Sequence, residues 1–189
     1  MIKNLLLTLT LIVVAAEGRL SAQDKVSSHA FYAELGGAGI LTSANIDGRF
    51  NSASHLGLGY RVGLGFSFYN ETKNEVYVSY DGCYYSNDTY EKRVKSYATI
   101  PFGINYLLGK PNSPHTLEVE AGGAILTKKM SIWDYDRNPS AGYILGHVSV
   151  MYRRQPFDGG VMWKIGLHTI IDAGGDITPW PSVAVGYAF

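Results

Sequence analysis

Residues 56–69 read LGLGYRVGLGFSFY, and no other stretch limits the possible folds as strongly. Every second residue is apolar: Leu56, Leu58, Tyr60, Val62, Leu64, Phe66 and Phe68. Between them stand Gly57, Gly59, Arg61, Gly63, Gly65, Ser67 and Tyr69. Successive side chains of a β-strand point to opposite faces. One face is therefore apolar along its whole length, and the other is glycine, hydroxyl and one charge. A soluble sheet buries such an apolar face under a second layer. A closed barrel in a membrane turns it to lipid and keeps the small, polar face inside.

The rest of the chain decides between the two. Formal net charge is zero, so there is no basic footprint and no nucleic-acid partner is expected. Cys83 is the only cysteine, which excludes an intrachain disulfide and a thiolate zinc cluster. Twenty-two glycines and 14 tyrosines with only 17% charged residues favour an all-β chain. At the start, a short positive tetrapeptide precedes LLLTLTLIVVAA at 5–16, and the polar EGRLSAQ follows at 17–23. That is the layout of a secretory signal peptide, too short in its apolar part to span a membrane as a helix. Residues 1–23 are read as the signal peptide, with cleavage near Ala22 or Gln23, and residues 24–189 as one barrel domain.

Eight alternating segments follow the leader: 31–50, 56–69, 75–83, 93–108, 116–127, 141–153, 161–171 and 181–189. The first changes phase at Gly36-Gly37-Ala38-Gly39 and is read as one strand with a glycine kink or bulge. NETKN at 70–74 reads as a tight turn, and Pro101 stands against the fourth strand. Eight is even, and it is the minimum for a membrane barrel. The predicted fold is thus an all-β, eight-stranded, antiparallel up-and-down transmembrane β-barrel. A secreted N-terminus puts the connections 51–55, 84–92, 128–140 and 172–180 on the outer side, the last three being long. Phe31, Phe66, Phe68, Tyr106, Tyr152, Trp163, Tyr187 and Phe189 then form an aromatic girdle at the periplasmic ends, with Phe50 and Tyr80 opposite.

The opening GGAGILTSANIDGRF, the segment TIPFGINYLLGK, YRRQPFDGG before a glycine-bearing strand, and the terminal VAVGYAF carry a resemblance. Over residues 30–189 the chain resembles the small eight-stranded outer-membrane barrels, in particular the Bacteroidetes-type outer membrane protein beta-barrel domain family. The resemblance implies location in the bacterial outer membrane among its lipids. It also implies recognition by the barrel-assembly machinery through the last strand, with Tyr187 and Phe189 as the signal. It implies no assigned activity.

The polar faces carry Glu34, Asp47, Arg49, Arg61, Asp81, Arg93, Lys95, Glu118, Glu120, Arg153 and Lys164. Inside so narrow a barrel, opposite charges must pair. Glu34, Arg61, Glu118, Glu120, His147, Arg153, Lys164 and His168 are the predicted lumen network. Centring the turn RQPFDGG between Phe157 and Asp158 sets His147 opposite His168 and Arg153 opposite Met162. Glu120, Ser149 and the histidines supply the parts of an acyl-transfer triad, but no G-x-S-x-G elbow is present. Asp134, Asp136 and Asn138 begin a calcium-loop pattern that fails at Pro139 and Leu145. No metal site, cofactor or catalytic residue is expected. Tyr84, Tyr85, Trp133 and Tyr135 form an outer-loop aromatic set. The function expected is a membrane-embedded scaffold that meets an unknown surface or periplasmic partner through its outer loops. A narrow, porin-like conduit for a small, hydrophobic solute is the alternative, and a lipid-modifying barrel enzyme the third reading. A lipocalin-like secreted binder is the rival architecture.

Overall fold

The computed structural model describes residues 26–74, 90–130 and 142–189. Strands form where the alternation is strong: β1 His29–Gly36, β2 Thr42–Arg49, β3 Gly57–Asn74 and β4 Tyr90–Gly109. They continue with β5 His115–Met130, β6 Gly142–Arg154, β7 Gly160–Ile171 and β8 Ile177–Ala188. Each pairs antiparallel with its sequence neighbours, and β8 returns to β1, which closes an eight-stranded up-and-down barrel. Closure leaves no unpaired edge along the wall. The described N-terminal segment and Phe189 share one end, here the terminal end; the other is the distal end.

The strand count agrees with the sequence reading, but two of the eight assignments differ. Residues 31–50 are two strands. Gly36 and Gly37 have φ 76° and 68°, and Ile40 has φ 74°, so the chain reverses instead of kinking. Even residues point inward in β1 and odd residues in β2, and this is the phase change visible in the sequence. The segment 75–83 lies outside the described residues. β3 and β4 pair directly, from Gly57↔Leu107 to Asn74↔Tyr90, so no strand separates them. Residues 70–74 continue β3 instead of turning. This hairpin rises beyond its neighbours, since β2 stops at Thr42↔Phe66 and β5 begins at Thr99↔Leu126.

The ends are corrected accordingly. The connection after β2, which includes 51–55, joins the terminal end, and Phe50 with it, 5.7 Å from the ring of Tyr60. Phe66 and Phe68 move to the distal half, their rings 4.8 Å apart. Tyr106, Tyr152, Trp163, Tyr187 and Phe189 keep the terminal end, as does Phe31. Pro101 is accommodated because the β3–β4 ladder lapses at Ile100 and Pro101 without losing register.

The two faces of the wall differ in kind. Outward residues are Leu58, Val62, Ile104, Val150, Ile165 and Val185 and their like, all exposed. Inward ones are mostly glycine or polar, and the charged Glu34, Asp47, Arg49, Arg61, Glu118, Glu120, Arg153 and Lys164 among them are buried. Among the described residues, apolar side chains gather inside at two places. Tyr97, Leu126, Leu145 and Ile170, with Ile40 and Trp180, form a stopper at the distal mouth. Ala30, Tyr32, Met162, Ala184 and Ala188 pack where β7, β8 and β1 meet.

Candidate functional site

The interior is where the polar side chains converge, and glycine makes the room. A Cβ on Gly63 would lie 2.2 Å from Asn45 Oδ1, and one on Gly103 would lie 2.8 Å from Glu120 Oε1. Arg61 spreads into that space. Its Nε donates to Asn45 Oδ1 at 3.1 Å, its Nη1 to Glu120 Oε1 at 3.3 Å, and its Nη2 to Glu34. Ser182 Oγ donates to Glu34 Oε1 at 3.1 Å. His147 Nε2 lies 2.9 Å from Glu120 Oε1, and His168 Nε2 lies 3.4 Å from Glu34 Oε1.

A second group occupies the terminal half. Arg153 Nη1 donates to Glu118 Oε2 at 2.9 Å and to Asp47, and its Nη2 donates to Asp47 Oδ1 at 3.1 Å. Lys164 Nζ donates to Glu118 Oε1 at 2.8 Å and to the Tyr32 hydroxyl at 3.0 Å, 4.2 Å from the tyrosine ring centroid. Arg49 lies 3.8 Å from Asp47 and donates to the Gly57 carbonyl at 3.0 Å. Glu34, Asp47, Glu118 and Glu120 thus balance Arg49, Arg61, Arg153 and Lys164, all at most 4% exposed. Charges so buried persist only when paired and hydrogen-bonded.

All eight residues predicted for the lumen network are buried inside the barrel. Lys95 is not: it has inward parity but lies on the ribbon above the rim, and it is exposed. Asp81 lies outside the described residues, as does the side chain of Arg93. Tyr84, Tyr85, Trp133 and Tyr135, with Tyr80 and the calcium-like Asp134, Asp136 and Asn138, also lie outside them. Tyr187 and Phe189 are exposed at the terminal end, and Phe189 exchanges both backbone bonds with His29. Sequence reasoning missed Tyr32, the shared partner of Lys164 and Arg61, whose guanidinium lies 5.7 Å from its ring. Its even parity beside Glu34 is the signal that places it inside.

The histidine register is corrected by two residues. His168 opposes Ser149, His147 opposes Ile170, and Arg153 opposes Lys164 rather than Met162. The turn is wider than a tight hairpin, because the Gln155 N–H donates to the Pro114 carbonyl and Gly159 and Gly160 have φ 97° and 125°. A shift of two keeps parity, so the rings still meet diagonally, 5.5 Å apart. Glu120, Ser149 and His168 are opposed across β5, β6 and β7. Ser149 Oγ nevertheless has no hydrogen-bond partner among the described residues, so the serine–histidine contact that activates a nucleophile is not formed. Among the described residues no three His, Cys, Asp or Glu side chains are grouped to hold a metal ion.

Both mouths are covered. At the distal end the turn 37–39 folds inward, with its three residues buried; Gly39 O accepts from Thr99 Oγ1 at 3.2 Å and Ile40 O from Trp180 Nε1 at 2.7 Å. At the terminal end Ser27 Oγ donates to the Pro156 carbonyl at 2.8 Å and Gln155 Nε2 to the Ser27 carbonyl at 2.9 Å. No known family model, curated protein or solved structure matches this chain.

Proposed function

We propose that the chain is a bacterial outer-membrane β-barrel acting as a membrane-embedded scaffold, whose distal connections meet a partner at the surface. The observation that carries this reading is the inverted distribution of polarity. Valine, leucine, isoleucine and phenylalanine cover the outside, while the described interior carries Glu34, Asp47, Glu118, Glu120, Arg49, Arg61, Arg153 and Lys164. Water rewards the opposite arrangement, and a lipid solvent rewards this one. The aromatic residues at the terminal end suit a membrane boundary. The leader-like residues 1–23 and the resemblance to the Bacteroidetes-type barrel family point the same way, as does the apolar final strand ending in Phe189. A lipocalin-like binder needs an apolar cavity, and this interior is lined with buried charges.

The side-chain network, the distal stopper and the terminal cap favour a scaffold over a conduit. Planar-bilayer recording tests the choice. The reconstituted barrel is expected to insert and to pass no steady current. A stable open-channel current would favour the conduit and remove the scaffold reading.

A further inference from the structure

The outward surface of the strands is almost free of charge. Below the β3–β4 ribbon, among the residues whose side chains are described, Arg154 and Lys129 alone carry charge there, at opposite ends. Lys129 Nζ lies 5.6 Å from the ring of Tyr143. Arg154 has a more elaborate setting. It stands directly between His115 on β5 and Trp163 on β7, in register with both. Two residues further from the end, Leu117, Tyr152 and Ile165 form the next outward row, and Val119, Val150 and Leu167 the row after that. The Tyr152 hydroxyl is hydrogen-bonded to His115 Nδ1, and its ring lies 5.2 Å from that of Trp163. The structure gives Arg154 no ion pair among the described residues. Asp158, four residues on, is exposed in the turn and makes none with it.

We propose that Arg154, His115, Tyr152 and Trp163 form a binding site for the phosphate of one membrane phospholipid, with its acyl chains lying on the two apolar rows beneath. The inference rests on the membrane reading above and names one of its lipid partners. The guanidinium offers a planar fork that matches two phosphate oxygens, and an ammonium does not. The indole N–H, and one of the bonded imidazole–hydroxyl pair, add donors on the same outward row or the next. Trp163 and Tyr152, 37% and 39% exposed, present amphipathic rings where headgroup gives way to hydrocarbon. Below them Leu117, Val119, Val150, Ile165 and Leu167 are all exposed and apolar, a bed for chains that phosphate alone would not require.

The full chain, purified in a non-ionic detergent, is titrated with phosphatidylglycerol while native mass spectrometry resolves the lipid-bound species. The wild type is expected to hold one lipid about tenfold or more tighter than R154Q, as the loss of a charge-assisted hydrogen bond dictates. R154K should fall between them, and Y60F, which alters the terminal girdle on β3, should match the wild type. Equal binding by wild type and R154Q would overturn the site. So would displacement of the lipid by millimolar inorganic phosphate, which would make it a site for soluble anions. Insertion into phosphatidylcholine vesicles is measured in parallel. If wild type and R154Q both insert, the binding data judge the site alone; if the wild type fails to insert, the membrane reading falls and the site with it.

Discussion

Replacing Glu118 by leucine should destabilise the barrel more than any change of similar size on its outer face. Glu118 is 0% exposed and, among the described residues, is the only carboxylate bonded to Lys164, while Arg153 also has Asp47. Without it Lys164 keeps one hydrogen bond, to the Tyr32 hydroxyl at 3.0 Å, and the interior carries an unbalanced positive charge. Breaking a buried pair in this way costs about 3–5 kcal/mol. Removing both partners is a different perturbation. Glu118→Leu with Lys164→Met restores charge balance, leaves the Arg153–Asp47 pair in place and fills similar volume. Such replacements are often neutral, so the double variant should recover about 2–3 kcal/mol of the single variant's loss. Urea titrations of unfolding from lipid vesicles, with folding and unfolding branches superimposed, measure all three proteins. A cost below about 1 kcal/mol for the single variant, or strict additivity in the double, would refute the argument that the network is held by mutual pairing.

Two further predictions concern the connections. Gly37→Ala and Gly57→Ala both put a Cβ on a left-handed backbone, at φ 68° and 92°, a cost of about 1–2 kcal/mol each. At Gly57 nothing lies within 4 Å, but at Gly37 the new carbon meets Glu34 Oε1 at 2.8 Å and His168 Nε2 at 3.0 Å. Gly37→Ala should therefore be clearly the worse of the two in the same titration, and equal costs would contradict the inward fold of that turn. His55, 3% exposed after β2, is held below the usual histidine range by burial. The unfolded chain then takes up a proton as pH falls below about 6.5 while the folded one does not, so stability is lost there. His55→Gln should flatten the stability profile between pH 6.5 and 5 while leaving stability at pH 7.5 nearly unchanged; an unaltered acid limb would contradict the burial.

Parity was the legible part of this chain. In β3, β6, β7 and β8 apolar and polar positions alternate with few exceptions, and inward and outward sets could be assigned from spacing alone. Connectivity was less legible, because a bulge and a hairpin produce the same phase change. Only the positive φ at Gly36, Gly37 and Ile40 distinguishes them, and the sequence GGAGI permits both. Register was likewise hidden. RQPFDGG reads as a turn centred between Phe157 and Asp158, but Gln155 is diverted to Pro114 and Ser27, contacts 41 and 128 residues away that no local rule anticipates. The right face was therefore assigned to the histidines with the wrong opposite residues. The distal stopper was missed because Leu126, Leu145 and Ile170 are apolar on the inward face, where the pattern called for polar groups. The row His115, Arg154, Trp163 needs the register of three strands at once and has no signature in any one of them.

The claim beneath all of this is that the apolar outer face is in contact with lipid. Val62 sits at mid-wall between Ile46 and Phe102, 46% exposed, and Val161 sits at the terminal boundary. Replacing each by arginine and measuring the free energy of folding into phosphatidylcholine vesicles separates the two solvents. Contact with lipid should cost about 2–4 kcal/mol at Val62 and about 0–1 kcal/mol at Val161, the depth profile of a bilayer. A change within about 0.5 kcal/mol at both sites, as for exposed positions in water, would contradict it.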